Sequence, residues 1–168
     1  MLKMLALLFI SLIPASVGAS ESIWTDWKAS RPRPLNALAK NFVFSRKEGA
    51  PKVKLLFFWA SWCDVCKAAQ VEIDRWAKLY SPTELEILSV SLEDDGEAAR
   101  QRAAEITQGS RYPIWYAGPA LHASLKVPIF PSLFLLDGNT NRVLTVYSGF
   151  TKSISSELLK RIRQEVGK

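Results

Sequence analysis

The 168-residue chain contains two cysteines, Cys63 and Cys66, and both stand in the run Phe57-Phe58-Trp59-Ala60-Ser61-Trp62-Cys63-Asp64-Val65-Cys66-Lys67. A pair at this spacing, placed where an apolar strand gives way to a helix, is a candidate reactive dithiol. The attacking species in thiol–disulfide chemistry is the thiolate. Free backbone N–H groups and the positive dipole end favour that ion in the first turn of a helix, which is where Cys63 falls. From a free value of about 8.5, a helix start brings a thiol pKa down to roughly 3.5–7.5, so a useful thiolate fraction exists near neutral pH. Cys66, one turn further in, is placed to attack the mixed disulfide and release the partner. Trp62 is expected to form a lid beside the sulfurs.

Other uses of such a pair are half of a zinc site, a static disulfide or two core cysteines. Zinc as a rule takes four ligands, and the chain offers only these two cysteines and one histidine, His122. A copper-binding carrier using Cys63, Cys66 and His122 is an alternative, since soft thiolates and imidazole suit copper. A non-catalytic module that docks clients by strand pairing at Phe130 is another. The setting of the pair between strand and helix favours the catalytic dithiol.

The elements that must hold the pair follow from hydrophobic pattern. Val53 to Trp59 is a nearly continuous apolar run, the pattern of a central strand covered on both faces. The CxxC helix runs from about Cys63 to Tyr80 and ends at Ser81-Pro82-Thr83. Leu85 to Leu92 reads as a second central strand before Glu93-Asp94-Asp95-Gly96, and a second helix follows from about Glu97 to Thr107. Tyr112 to Tyr116 is a brief extended piece, and Pro119 to Leu125 a short helix with proline near its first turn. Ser132 to Leu136, the turn Asp137-Gly138-Asn139 and Val143 to Tyr147 form an antiparallel hairpin with an enlarged loop. In the closing helix, Ser153 to Val166, the residues Ile154, Leu158, Leu159, Ile162 and Val166 recur at helical spacing and face the core. This order predicts an α/β fold, a mixed central sheet with helices on both faces.

Residues 1–19 read as a signal peptide: Lys3 gives a positive start, Met4 to Ile13 an apolar stretch, Pro14 a breaker and Val17-Gly18-Ala19 a small-residue cleavage site. As a helix that ten-residue stretch reaches about 15 Å, half of a bilayer core of roughly 30 Å, so cleavage after Ala19 is expected over a permanent anchor. The remaining length, about 150 residues, suits an irregular lead-in over 20–50 and one domain over 51–168 that needs no structural disulfide. Twenty-two Lys and Arg against 16 Asp and Glu give a formal charge of +6. Part of the excess lies in Arg31, Arg33, Lys40, Arg46, Lys47, Lys52 and Lys54, read here as a solvated basic face. No basic stripe with interleaved aromatics marks a nucleic-acid module, so no nucleic-acid partner is expected.

The CxxC run, followed by Pro131-Ser132-Leu133-Phe134-Leu135-Leu136-Asp137, resembles the exported TlpA/ResA-like thioredoxin family over roughly residues 50 to 166. The resemblance implies a thioredoxin fold with a central insertion and a thiol-disulfide oxidoreductase, a periplasmic or otherwise exported disulfide reductase. It implies no cofactor beyond the redox-active Cys63–Cys66 disulfide. Its implied partners are oxidised client proteins, such as apocytochromes c, and a membrane thiol donor of electrons. The family's cis proline falls on Pro131, with Pro128 as the alternative, and Phe130 would offer its backbone to an extended client strand. Gly149 matches a family glycine that permits close approach, or is an ordinary turn residue.

This chain departs from the family where a proton acceptor is expected. Thioredoxin keeps a buried acid at the position of Phe57, and many TlpA-like reductases keep a glutamate at that of Ala69 and a helix-kinking proline at that of Val71. Glu72 is a poor substitute, rotated about 240° around the helix from Cys66. Glu93, at the carboxyl end of a central strand, is the better candidate, since open α/β sheets place their sites at that edge. The Asp64-Val65 dipeptide sets a negative charge beside the nucleophile, which raises the cost of the thiolate and favours a reductase over a strong oxidant.

Overall fold

A computed structural model describes residues 50–93, 97–117, 127 and 129–167. The expectations for residues 1–19, for the lead-in up to residue 49, and for Pro119 to Leu125, His122 and Pro128 lie outside the described residues. The elements in chain order are β1 (Val53–Trp59), α1 (Asp64–Leu79), β2 (Leu85–Leu92), α2 (Glu97–Ile106), β3 (Ile114–Ala117), β4 (Ser132–Asp137), β5 (Val143–Ser148) and α3 (Lys152–Val166). They form one sheet in the order β3-β2-β1-β4-β5. β1 runs parallel to β2 and antiparallel to β4, β3 lies parallel to β2, and β5 closes the hairpin with β4. The predicted strand and helix boundaries hold to within about two residues, the ordinary uncertainty of element ends.

Every residue of β1 and β2 is buried. The pleat sends Leu55, Phe57 and Trp59 into one core, with Cys66, Ala69, Ile73 and Trp76 of α1, Ala103 of α2 and Leu158 and Ile162 of α3. It sends Leu56 and Phe58 into a second core with Leu88, Val90, Leu92, Phe134, Leu136 and Val127. Burial on both faces explains why these strands read as unbroken apolar runs. Among the described residues no helix is long and apolar enough to cross a membrane.

Lys54 departs from the expected solvated basic face. It lies buried on β1, in register with Glu86 of β2, and its ammonium donates to Asn141 Oδ1 at 2.7 Å. Burial lowers its pKa, against the opposing charges of Glu86 and Asp137. The sequence places Lys54 inside a strand, and it is the strand's coverage that takes it out of solvent.

The hairpin turn is fixed from two sides. Asp137 Oδ1 accepts from the N–H groups of Asn139 (3.1 Å) and Thr140 (2.7 Å) and from Thr140 Oγ1 (2.7 Å), the short-range bonding that makes aspartate a turn residue. These bonds, led by the one from the Thr140 backbone, hold the Asp137 carboxyl below its usual range. Gly138 meets the chain entering β1: its N–H donates to the Lys52 carbonyl at 3.1 Å, and a Cβ there would lie 1.6 Å from the Pro51 carbonyl oxygen. The turn therefore needs glycine for close approach of two backbones. Gly138→Ala is expected to destabilise the domain by on the order of 3 kcal/mol, because backbone must move to admit the methyl group. Urea denaturation checks this, and an unchanged midpoint would show that the hairpin is not locked there.

Candidate active site

Three residues, Ala60, Ser61 and Trp62, join the end of β1 to Cys63, the N-cap of α1. Cys63 has extended backbone (φ −91°, ψ 104°), and its Sγ accepts the Cys66 N–H at 3.2 Å. At most helix starts an oxygen of Ser, Thr, Asp or Asn satisfies that orphan donor. Here sulfur does so, and a thiolate accepts such a bond better than a thiol. The Ala60 carbonyl in turn accepts the Cys63 N–H at 3.1 Å, closing the loop into a tight turn. The two sulfurs form a disulfide, with Cα atoms 5.2 Å apart. Cys63 retains 8% of its surface and Cys66 none, so of the two only Cys63 has any exposure.

An apolar wall stands beside it. Trp62, 58% exposed, meets Phe130 edge to face with ring centroids 5.6 Å apart. Val65 and Ile129 are also exposed. The Phe130–Pro131 peptide bond is cis, and the Pro131 carbonyl accepts the Gly149 N–H at 2.7 Å. Gly149 has φ +80° and nothing within 4 Å of the place a Cβ would occupy. Its glycine serves backbone conformation, which corrects the expectation of close approach. Asp64 and Lys67 point to solvent and pair at 2.7 Å. The hydrogen bond from Lys67, and then its charge, hold the Asp64 carboxyl below its usual range.

Glu93 sits where the sequence puts it, just past the end of β2, and it is buried, 3% exposed. Its Oε1 accepts the Ser61 N–H at 2.8 Å and also the Ser91 hydroxyl, and its Oε2 accepts the Ser61 hydroxyl at 2.9 Å. Its hydrogen bonds therefore go to the loop before the CxxC and to its own strand, and not to either sulfur. Sequence reading missed Ser61 and Ser91. A usable signal is present in the alternation Ser89, Ser91, Glu93, which puts three polar groups on one face of a buried strand. The two other acid positions of the family are apolar here, with Phe57 and Ala69 fully buried, and Glu72 is turned to Arg75 at 3.2 Å. Behind α1, Gln70 donates to Ser110 at 3.2 Å and to the Tyr112 hydroxyl, while Ser110 and Tyr112 donate to Asp74 at 2.9 and 2.8 Å. Burial first, then Asp74, pushes the Tyr112 hydroxyl pKa up, and the cluster ties α1 to the segment after α2.

Among the described residues no group of three or more His, Cys, Asp or Glu side chains converges as a metal site would require.

No family model matches the chain. The thioredoxin-like protein YneN of Bacillus subtilis (strain 168) is 27% identical over 94 residues, which span 55% of this chain and 55% of that protein, about half its length. Among solved structures, StoA from Bacillus subtilis is similar with a TM-score of 0.54 and 19% identity, over 68% of this chain and 84% of that one. A thiol-disulfide isomerase from Corynebacterium glutamicum gives a TM-score of 0.59 and 13% identity, over 76% of this chain and 88% of that one. A secreted Mycobacterium tuberculosis disulfide oxidoreductase gives 0.54 and 15%, over 68% and 84%. These likenesses show the thioredoxin fold, in which the CxxC stands at the start of α1.

Proposed function

We propose that the chain is a thiol-disulfide oxidoreductase that works outside the cytoplasmic membrane as a reductase of protein disulfides. The observation that carries this reading is the asymmetry of the pair: Cys63 caps a helix and reaches the surface, while Cys66 is sealed beneath it. Export rests on the signal-like residues 1–19. The clients in this reading are oxidised proteins, apocytochromes c among the candidates, and a membrane thiol donor returns the pair to the dithiol.

In the forward direction the Cys63 thiolate attacks one sulfur of a client disulfide, and the client's other sulfur leaves as a thiolate. Cys66, deprotonated, then attacks Cys63 Sγ, closes the 63–66 bridge and expels the second client sulfur. Two electrons pass from the protein's dithiol to the client, whose thiolates take protons. The exposed Trp62, Val65 and Ile129, with the half-buried Phe130, suit an extended client segment, with main-chain pairing at Phe130.

Direction follows from charge. Reference potentials run from about −270 mV for thioredoxin to about −120 mV for a strong oxidant, which is strong because its reduced form is stabilised. Asp64 opposes the Cys63 thiolate, and Lys67 offsets part of that opposition through its contact at 2.7 Å.

Two outcomes are expected. Cys63→Ser abolishes insulin reduction, and Cys66→Ser accumulates mixed disulfides on Cys63 that mass spectrometry identifies; retained turnover in Cys63→Ser would point instead to a non-catalytic docking module. Asp64→Asn raises the reduction potential and lowers the pH at which Cys63 becomes alkylated, whereas Lys67→Ala moves both the other way. Equilibration with glutathione reads the potential, and shifts of the same sign in the two variants would refute the charge argument.

A further inference from the structure

We infer that Glu93 is a positioning residue: its carboxylate clamps Ser61 and thereby sets the geometry in which Cys63 meets Cys66. The inference rests on the reading of Cys63 and Cys66 as the redox pair, and it concerns how that pair is held.

Ser89, Ser91 and Glu93 alternate along one face of β2 and its extension, all three buried, on the face that begins with the apolar Leu85 and Ile87. β1 lies in parallel register beside them, with Phe57 opposite Ser89 and Trp59 opposite Ser91. The polar column grips the neighbouring chain at two heights. Ser89 Oγ accepts the Trp59 indole N–H at 2.7 Å, at the last residue of β1. Two residues on, where β1 has ended and ladder bonds have run out, Glu93 takes over with both of its oxygens on Ser61. Ser91, between them, donates to the same carboxylate from below.

A single hydrogen bond leaves a residue free to pivot; two bonds, one to the backbone N–H and one to the side-chain hydroxyl, fix both its place and its rotation. Ser61 is held in that way, and the following residues inherit the constraint. Trp62 is set against Phe130, and Cys63 is turned so that its N–H reaches Ala60 and its sulfur receives the Cys66 N–H. Three donors meeting one buried carboxylate also explain why an acid is tolerated on this strand, since a buried carboxylate needs its hydrogen bonds. Serine in place of a larger residue at position 61 follows, because it supplies two donors from one short side chain and one N–H.

The ease of closing the 63–66 disulfide depends on how firmly the two thiols are held at bonding distance. Releasing the clamp lowers their effective concentration, makes the disulfide easier to reduce and raises the reduction potential. A glutamine at 93 accepts the Ser61 N–H through its carbonyl and donates to the Ser61 hydroxyl through its amide, so it retains both contacts without the charge.

The test is equilibration with glutathione of the wild type, Glu93→Ala, Glu93→Gln and Ser61→Ala, with urea midpoints measured alongside. The clamp predicts that Glu93→Ala shifts the equilibrium constant by about tenfold toward the dithiol, equivalent to about 30 mV, that Ser61→Ala shifts it less in the same sense, and that Glu93→Gln stays near wild type. An equal shift in Glu93→Gln and Glu93→Ala would overturn the proposal in favour of a charge or proton-acceptor role. A lowered urea midpoint with an unmoved potential would reduce Glu93 to a packing residue and overturn it too. Should Glu93→Ala fail to fold, Ser61→Ala decides alone: an unmoved potential there overturns the clamp. Absence of glutathione exchange in the wild type would instead overturn the underlying redox assignment.

Discussion

A strand that is buried from end to end cannot slide, and β1 is held by parallel pairing to β2 on one side and antiparallel pairing to β4 on the other. A slip of one residue would turn its whole apolar set to the wrong face. The position of Trp59 is thereby fixed, and only three residues separate it from the cap of α1. Cys63 stands at a helix start because sheet register leaves the helix no other place to begin. The helix is held as firmly at its far side, where Ile73 and Trp76 join the core of β1 and the Gln70–Asp74 cluster grips Ser110 and Tyr112.

Within that frame, burial divides the labour between two chemically identical side chains. Cys63 meets solvent at one edge, with the Cys66 N–H on its sulfur, and Cys66 sits one turn deeper against the strand. In the proposed reading, access selects the first for attack and leaves the second to resolve. Around the opening the chain exposes apolar groups that a lone soluble domain would gain by covering, including Trp62 and Ile129. In the proposed reading they serve contact with a client.

Much of the fold was legible in the sequence because β1 and β2 are covered on both faces, and continuous apolar runs between turn residues have few other homes. The CxxC was legible because its chemistry needs only two residue types at one spacing. What escaped is contact between segments distant in sequence. Nothing local tells that Ser61 faces Glu93, or that Gly138 presses on Pro51, since both depend on which strands become neighbours. Lys54 misled for the same reason: lysine on a strand reads as solvated until the sheet shows Glu86 beside it. Gly149 shows the converse, a position where the family pattern suggested close packing and the backbone φ of +80° gives the simpler account.

Charge near the pair is arranged in two layers. Asp64 and Lys67 meet at the surface, where water screens them, and Glu93 lies inside, spent on hydrogen bonds to Ser61 and Ser91. The account stands on the Cys63 sulfur being ionised and open to solvent at neutral pH. Site-resolved alkylation of the fully reduced, folded protein across a pH series tests this most directly. Cys63 should be modified rapidly below pH 8 while Cys66 is spared until the protein unfolds; equal protection of both sulfurs, or preferential modification of Cys66, would contradict it.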